Sequence, residues 1–287
     1  MARTLEPYQL VERSIITKYR KVLWNPFIEA VKRYEMIQPG DRIAVCISGG
    51  KDSMLLAKLM QQLQKHSDFP FELVFLVMNP GYNELNRRKI ESNAALLNIP
   101  VTIFESDIFE VADSAGKSPC YLCARMRRGY LYSRAQELGC NKIALGHHFN
   151  DVVETTLISM FYGSQLQAML PKLHSTNFEG MTLIRPLYCV HEDDIIAWAR
   201  DNSLEFIQCA CRLTERSAAD TGDVNVSKRK EIKLLLRRLR QGNPNIEKSI
   251  FNSIHAVALD TMPGFKTGGV EHSFLERFNA MESTEAE

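Results

Sequence analysis

Ser48-Gly49-Gly50-Lys51-Asp52-Ser53 follows directly on the apolar run Ile43-Ala44-Val45-Cys46-Ile47. The run reads as a strand and the Gly-Gly pair as a tight turn. Met54 to Gln64, with leucines at 55, 56, 59 and 63, reads as a helix. A strand that opens through glycines into a helix presents backbone N–H groups and a helix N-terminus at one point, a ready anion site. Gly49 and Gly50 tolerate backbone conformations closed to other residues and let a phosphate come close. Lys51 adds a compact positive charge, Ser48 and Ser53 add hydroxyls, and Asp52 can orient Mg²⁺. The plain alternative is a serine-capped turn, and it leaves Lys51 and Asp52 without a purpose.

Outward from this loop, strand-like and helix-like segments alternate. Strands are expected at 43–47, 73–78, 101–104, 142–146, 183–187 and, briefly, 206–207. Helices are expected at 52–66, 84–97, 122–138, 151–161 and 191–201, and one or two more over 8–35. Strands apolar throughout and separated by helix-length segments imply a doubly wound α/β fold, a parallel sheet covered on both faces. Such sheets bind ligands at the carboxyl ends of their strands, where the Ser48–Ser53 loop lies. After Thr214 the character changes. A polar loop is expected over 217–227, a basic helix over 228–240, a last helix over 245–259, and a frayed end over 282–287. The expected organisation is an N-terminal helical segment (1–40), an α/β domain (41–213) and a basic helical C-terminal extension (214–287).

The 287 residues carry a formal net charge of +1 and an ordinary apolar fraction of 45%, so bulk charge does not point to a polyanion. No apolar run approaches membrane-spanning length, and Met1 to Arg20 lacks an apolar signal core, which predicts a cytoplasmic protein. Seven cysteines without an export signal argue against a disulfide framework. Cys46, Cys140 and Cys189 sit singly in apolar runs and read as core residues.

The loop is not the commoner phosphate-binding motif, because Lys51 is followed by Asp52 and no glycine stands five residues before Gly50. It also lacks the third glycine of the dinucleotide fingerprint. It resembles the PP-loop of the ATP pyrophosphatases, enzymes that cut ATP to AMP and pyrophosphate while adenylating a substrate. Three further features surround it. Cys120 and Cys123 form a Cys-x-x-Cys pair where a loop meets a helix, suited to one metal centre or a redox disulfide, and Cys209-Ala210-Cys211 lies near a later strand end. Four thiolates suit structural zinc, and three suit an iron–sulfur cluster with one open iron. Cys-x-Cys is a poor bite for one small ion, so one of Cys209 and Cys211 is expected to serve. Gly146-His147-His148-x-x-Asp151 ends the fourth strand, where Asp151 could share Mg²⁺ with Asp52, Gly146 and either His147 or His148 could meet the nucleotide, or Asp151 could simply cap a helix. Lys228 to Arg240 holds seven basic residues and one acid around an apolar stripe. With Lys117, Arg125, Arg127 and Arg128 it suggests an RNA path, Lys228, Arg229, Lys230, Arg237 and Arg238 being its candidates.

In combination these motifs resemble the TtcA-like tRNA 2-thiocytidine synthetase family of the PP-loop ATP pyrophosphatases. The resemblance runs from about Arg42 to Cys211 and rests on Ser48–Ser53, on the Pro119–Gly129 run with Cys120, Cys123, Arg125, Arg127 and Arg128, and on Gly146-His147-His148-x-x-Asp151. Tyr162-Gly163 and Ile184-Arg185-Pro186-Leu187 add to it. It implies an ATP- and Mg²⁺-dependent tRNA sulfurtransferase with a [4Fe-4S] cluster, acting on the cytidine at position 32. It further implies a homodimer supplied with sulfur by a cysteine desulfurase or other sulfide donor. Lys51, Asp52 and Asp151 are then catalytic candidates, and Cys120, Cys123 and Cys211 (or Cys209) cluster ligands. Cys209-x-Cys211 stands where those relatives carry a second Cys-x-x-Cys. Two other readings stay open: a PP-loop enzyme with structural zinc acting on another substrate, and a nucleotide- and RNA-binding module without turnover.

Overall fold

A computed structural model describes residues 5–106, 108, 119–207 and 224–285, with the side chains of 119–124, 224–227 and 280–285 outside the description. The chain divides into two compact units, Met1–Leu234 and Leu235–Glu287.

In the first unit, β1 (Arg42–Ile47) pairs in parallel with β2 (Glu72–Asn79) on one side and β4 (Lys142–Ala144) on the other. Val45 stands opposite both Phe75 and Ala144. β3 (Val101–Glu105) extends the sheet beyond β2, and β6 (Thr182–Ile184) extends it beyond β4. β5 (Lys172–His174) closes the β6 edge antiparallel, so the order is β3-β2-β1-β4-β6-β5. The chain leaves β1 for β2 on one side and returns to β4 on the other. The carboxyl ends of β1 and β4 therefore form the switch point at which such sheets bind ligands.

Five of the six β1 residues are buried, as a strand covered on both faces requires. On one face Ala44, Cys46, Leu76, Ile143 and Leu183 pack under Tyr132 and Ala135 of α5 (Pro119–Glu137). Alternation turns Ile43, Val45 and Ile47 to the other face, and α3 (Lys51–His66) lies against β1 and β2. Inside it, Lys58 is fully buried and donates to Glu12, Gln61 and the Leu97 carbonyl at 2.7–2.8 Å. It ties α3 to α1 (Pro7–Ile16) and to the end of α4 (Glu84–Leu96). Between α1 and α2 (Asn25–Arg33) stands a π-helical turn, Arg20–Trp24. α6 (Phe149–Gly163) follows β4 and α7 (Glu192–Asp201) follows β6.

The doubly wound α/β architecture expected from the sequence is what the structure shows, with three local differences. Phe206 and Ile207 form no strand, because the Glu205 carbonyl accepts from Asn93 Nδ2 of α4 at 2.8 Å and Phe206 stacks on Trp198. β5 fell in a polar stretch with no alternation to betray it. In the loop expected over 217–227, positions 224–227 instead belong to α8 (Val224–Gly242), and 217–223 lie outside the described residues.

The second unit, which takes the end of α8, is also richer than expected. The single helix expected over 245–259 is α9 (Ile246–Ser253), with a 3₁₀ turn at Leu259–Thr261. A hairpin of β7 (Gly264–Thr267) and β8 (Val270–Ser273) comes next. Its turn residues Gly268 and Gly269 have φ of +57° and +81°, values that glycine adopts freely. α10 (Phe274–Glu285) runs through most of the end expected to fray.

Gly49 has φ +84°, and a Cβ there would lie 2.6 Å from side-chain atoms of both Ile90 and Ile207. Gly49→Ala is expected to cost about 2 kcal/mol through strain and overpacking, read as a lowered urea midpoint with an unchanged m-value.

Candidate active site

The turn after β1 is built to leave the first turn of α3 open. Gly50, in extended conformation, is the N-cap, and no side chain caps it. Ser53 Oγ folds back instead, donating to the Gly50 carbonyl at 2.9 Å and accepting from the Ser48 N–H at 3.2 Å. The first-turn N–H groups and the helix dipole are thus available to an anion. The exit of β4 presses against the same turn, since a Cβ on Gly146 would lie 3.1 Å from the Ser53 backbone nitrogen.

The helix after β4 brings the second set of groups. His148 is the N-cap of α6, with its N–H donating to Asp151 Oδ2 at 3.1 Å and its Nδ1 accepting from the Asp151 N–H at 3.4 Å. This reciprocal box fixes Asp151 toward the loop. His148 Nε2 lies 3.5 Å from Asp151 Oδ2, 3.9 Å from Asp52 Oδ1 and 4.0 Å from Glu192 Oε1. Lys51 Nζ reaches Asp52 at 3.2 Å and Glu192 at 3.1 Å, while the other Glu192 oxygen takes Lys233 at 3.0 Å. Arg229 bridges Asp151 at 3.2 Å and Glu154 at 2.9 Å. Four carboxylates and three cations thus surround one histidine.

Burial alone would raise the Glu192 carboxyl, but Lys233 and Lys51 hold it down to about 2. Asp151 is also lowered: burial opposes this, and His148 and Arg229 outweigh it. Glu154, only 2% exposed, is raised, because burial outweighs Lys233 and Arg229, which it shares with Glu192 and Asp151. Burial drives the His147 imidazole down to about 4, so it is neutral at physiological pH.

Asp52, His147 and Asp151 of this network line a cavity of about 380 Å³ between the ends of β1 and β4. Ser48, Asp52, Ser53, Gly146, His147 and Asp151 face it, and Arg127 and Arg128 of α5 form the opposite wall. Asp52 Oδ1, although 3.2 Å from Lys51 Nζ, and His147 Nδ1 are buried there without a hydrogen bond among the described residues. Buried polar atoms left unsatisfied cost stability unless a ligand supplies the partner. The donor set suits a nucleotide triphosphate with Mg²⁺ held by Asp52 and Asp151. Cys46 also lines the cavity, but burial pushes its thiol up to about 12, so it is an inert packing residue.

The structure brings together the loop Ser48–Ser53, Gly146, His147, Asp151, Arg127 and Arg128. Positions 120 and 123 stand one turn apart at the start of α5, a spacing suited to two ligands of one metal centre, and Arg127 follows one turn later. Cys209, Cys211 and Lys117 lie outside the described residues. Of the basic candidates, Lys230, Arg237 and Arg238 are exposed and Lys228 sits over the Tyr162 ring at 4.9 Å. Sequence reasoning passed over Glu154, Glu192, Lys233 and the capping role of His148. Glu154 three residues after Asp151 and Lys233 four after Arg229 were readable as one helix face each. Glu192 reaches the loop only through the sheet topology.

The fold and the loop define a PP-loop protein, and a PP-loop domain family model matches residues 17–214. Curated relatives named tRNA-cytidine(32) 2-sulfurtransferase include one from Geobacter sulfurreducens, 37% identical over 83% of this chain and 90% of its own length. One from Geobacter metallireducens is 35% identical over the same shares. In three dimensions the chain resembles the U34-tRNA thiolase NcsA from Methanococcus maripaludis, a structure with its [4Fe-4S] cluster. The TM-score is 0.64 at 19% identity, covering 84% of this chain and 80% of that one. The chain belongs to the tRNA-cytidine(32) 2-sulfurtransferase family.

A folded-state His147 near 4, against about 6.5 unfolded, makes the fold bind fewer protons than the unfolded chain. Its contribution is complete above about pH 6.5 and is lost as pH falls through 4. Chemical denaturation between pH 7 and 4 is expected to show this slope in the native chain and a flatter one in His147→Gln.

Proposed function

We propose that the chain is an ATP-dependent tRNA sulfurtransferase that replaces the C2 oxygen of the cytidine at position 32 with sulfur. The observation that carries this reading is the single cavity at the β1/β4 switch point. There the Ser48–Ser53 loop and Asp151 face Arg127 and Arg128 from the helix whose first turn holds Cys120 and Cys123.

The loop N–H groups, Ser48, Gly49, Gly50 and Ser53 receive the ATP phosphates, and Gly146 and His147 bound the nucleotide from the β4 side. Lys51 neutralises charge developing on pyrophosphate. Asp52 and Asp151 would hold Mg²⁺, which would supply Lewis-acid stabilisation of the charge that develops on the phosphates. The cytidine C2 oxygen attacks that phosphorus, the bond to the β-phosphate breaks, and pyrophosphate leaves. The C2 oxygen is then part of an AMP leaving group. A sulfur nucleophile adds at C2, the C2–O bond breaks and AMP departs. Cys120, Cys123 and Cys211 (or Cys209) would hold a [4Fe-4S] cluster, which supplies an iron open to an external sulfur ligand. Arg125, Arg127, Arg128, Lys228, Arg229, Lys230, Arg237 and Arg238 serve the RNA. A cysteine desulfurase or other sulfide donor, a homodimeric state and a cytoplasmic setting belong to the same reading, as does a division of labour between residues 1–40, 41–213 and 214–287.

The test is nucleoside analysis of tRNA incubated with anaerobically purified protein, ATP, Mg²⁺ and sulfide. 2-Thiocytidine is expected with the native chain and about 100-fold less or none with Asp52→Asn, whose melting temperature should match the native value. Full activity in that variant would sink the mechanism. The same preparation should contain about four irons and four acid-labile sulfides per chain, and Cys120→Ser with Cys123→Ser should lose both. One zinc and no sulfide would favour a structural metal and another substrate.

A further inference from the structure

A second cavity, of about 520 Å³, lies beside the first and has Arg128 as a common wall. It opens along the carboxyl edge of β6, between that edge, the segment after β5 and the side of α5 that carries Arg125, Arg128 and Tyr132. Arg125 and Arg128 line it from α5, and Arg185, one residue past β6, lines it from the sheet. Arg185 is only 6% exposed. Its Nη1 donates to the Leu170 carbonyl, while its Nε is buried and has no hydrogen-bond partner among the described residues. The rings of Tyr132 and Phe178, stacked with centroids 5.1 Å apart and planes 9° apart, form part of the wall.

Three guanidinium groups around one cavity, with no acid among its described lining residues, are an unfavourable arrangement without a counter-anion. Burial, with Arg128 adding to it, pushes the Arg185 guanidinium down to about 10. A phosphate relieves this, because the guanidinium fork matches phosphate oxygens. An aromatic wall next to a phosphate site suits a base taken out of its stack, which is how proteins read single-stranded RNA. The volume lies within the range of small-ligand pockets. Arg128 belongs to both cavities, so a nucleotide held in the second shares a wall residue with the phosphate-loop cavity.

We propose that this second cavity receives the unstacked pyrimidine nucleotide of the RNA substrate, its phosphate between Arg128 and Arg185 and its base against the Tyr132–Phe178 wall. The assignment rests on the reading of the chain as a tRNA-modifying enzyme and names where the modified nucleotide sits. Arg185 acts as a binding residue through its unpaired Nε–H, and Arg125 receives the adjoining backbone.

The test uses the full chain and a synthetic anticodon stem-loop RNA carrying 5-iodocytidine at the position to be modified. Irradiation followed by mass spectrometry is expected to place the crosslink on Tyr132 or Phe178. Arg128→Met and Arg185→Met should each weaken binding of the unmodified stem-loop about tenfold, and Arg185→Met, at a residue that does not line the nucleotide cavity, should do so with ATP affinity and melting temperature unchanged. Should Arg185→Met fail to fold, Arg128→Met and Phe178→Leu carry the comparison. Crosslinks solely elsewhere, with native RNA affinity in the folded variants, would overturn the proposal. So would variants that lose affinity for inorganic pyrophosphate but keep it for RNA, since the cavity would then serve the leaving group. A native chain that crosslinks here yet never thiolates tRNA would support the pocket while retiring the reaction.

Discussion

The contact between the exit of β4 and the first turn of α3 governs the site. A methyl group at Gly146 would stand 3.1 Å from the Ser53 nitrogen and 3.2 Å from the Asp52 carbonyl carbon. Only a residue without a side chain lets two backbones approach so closely. That approach follows from parallel pairing of β1 with β4, which sets Ala144 opposite Val45 and carries both chains out at the same edge of the sheet. Asp52 leaves from one strand and Asp151 from the other, so their separation is set by sheet geometry rather than by flexible loops. His148 lies within 4 Å of both carboxylates because it caps the second helix.

A site with four acids in so small a space is stable only if cations offset them. Lys51 comes from the first turn of α3, but the other two counter-charges, Arg229 and Lys233, come from α8. Without them Glu154, which is nearly inaccessible to solvent, would be a buried carboxylate with no partner of opposite sign. A basic helix usually presents a solvated face. Here one face instead turns to the acids of the nucleotide site, and Lys230 remains outside. Part of the positive charge of α8 is therefore directed inward onto the site's carboxylates, a role that composition alone does not assign.

The fold was legible because its signals are local. An uninterrupted apolar run, a glycine turn and a leucine-spaced helix each depend on near neighbours, and β1, α3 and the loop between them lie where those signals put them. Asp52 and Asp151 were legible for the same reason, each sitting at the exit of a recognisable strand. Glu192 was not, because its meaning arises from Lys51 and Lys233, distant in sequence and brought close only by the sheet order. Arg185 carried a pattern but no chemistry until its burial was known. The β7–β8 hairpin had the strongest available local cue, two successive glycines, and was masked by the helical reading of the residues before it.

The cysteines divide along the same physical line. Burial pushes the thiols of Cys46 and Cys189 up to about 12 and raises that of Cys140 as well, so none of the three offers a thiolate at physiological pH. A thiolate is the form that binds metal or attacks carbon, and the places that favour it are electropositive, such as helix N-termini near arginines. Cys120 and Cys123 occupy the first turn of α5, with Arg127 and Arg128 one to two turns on and facing the nucleotide cavity. Cys46, the thiol that lines the cavity, is thus a packing residue, while the backbone of α5 sets positions 120 and 123 at a helix N-terminus, one to two turns before the arginines of that cavity, the setting that favours a thiolate.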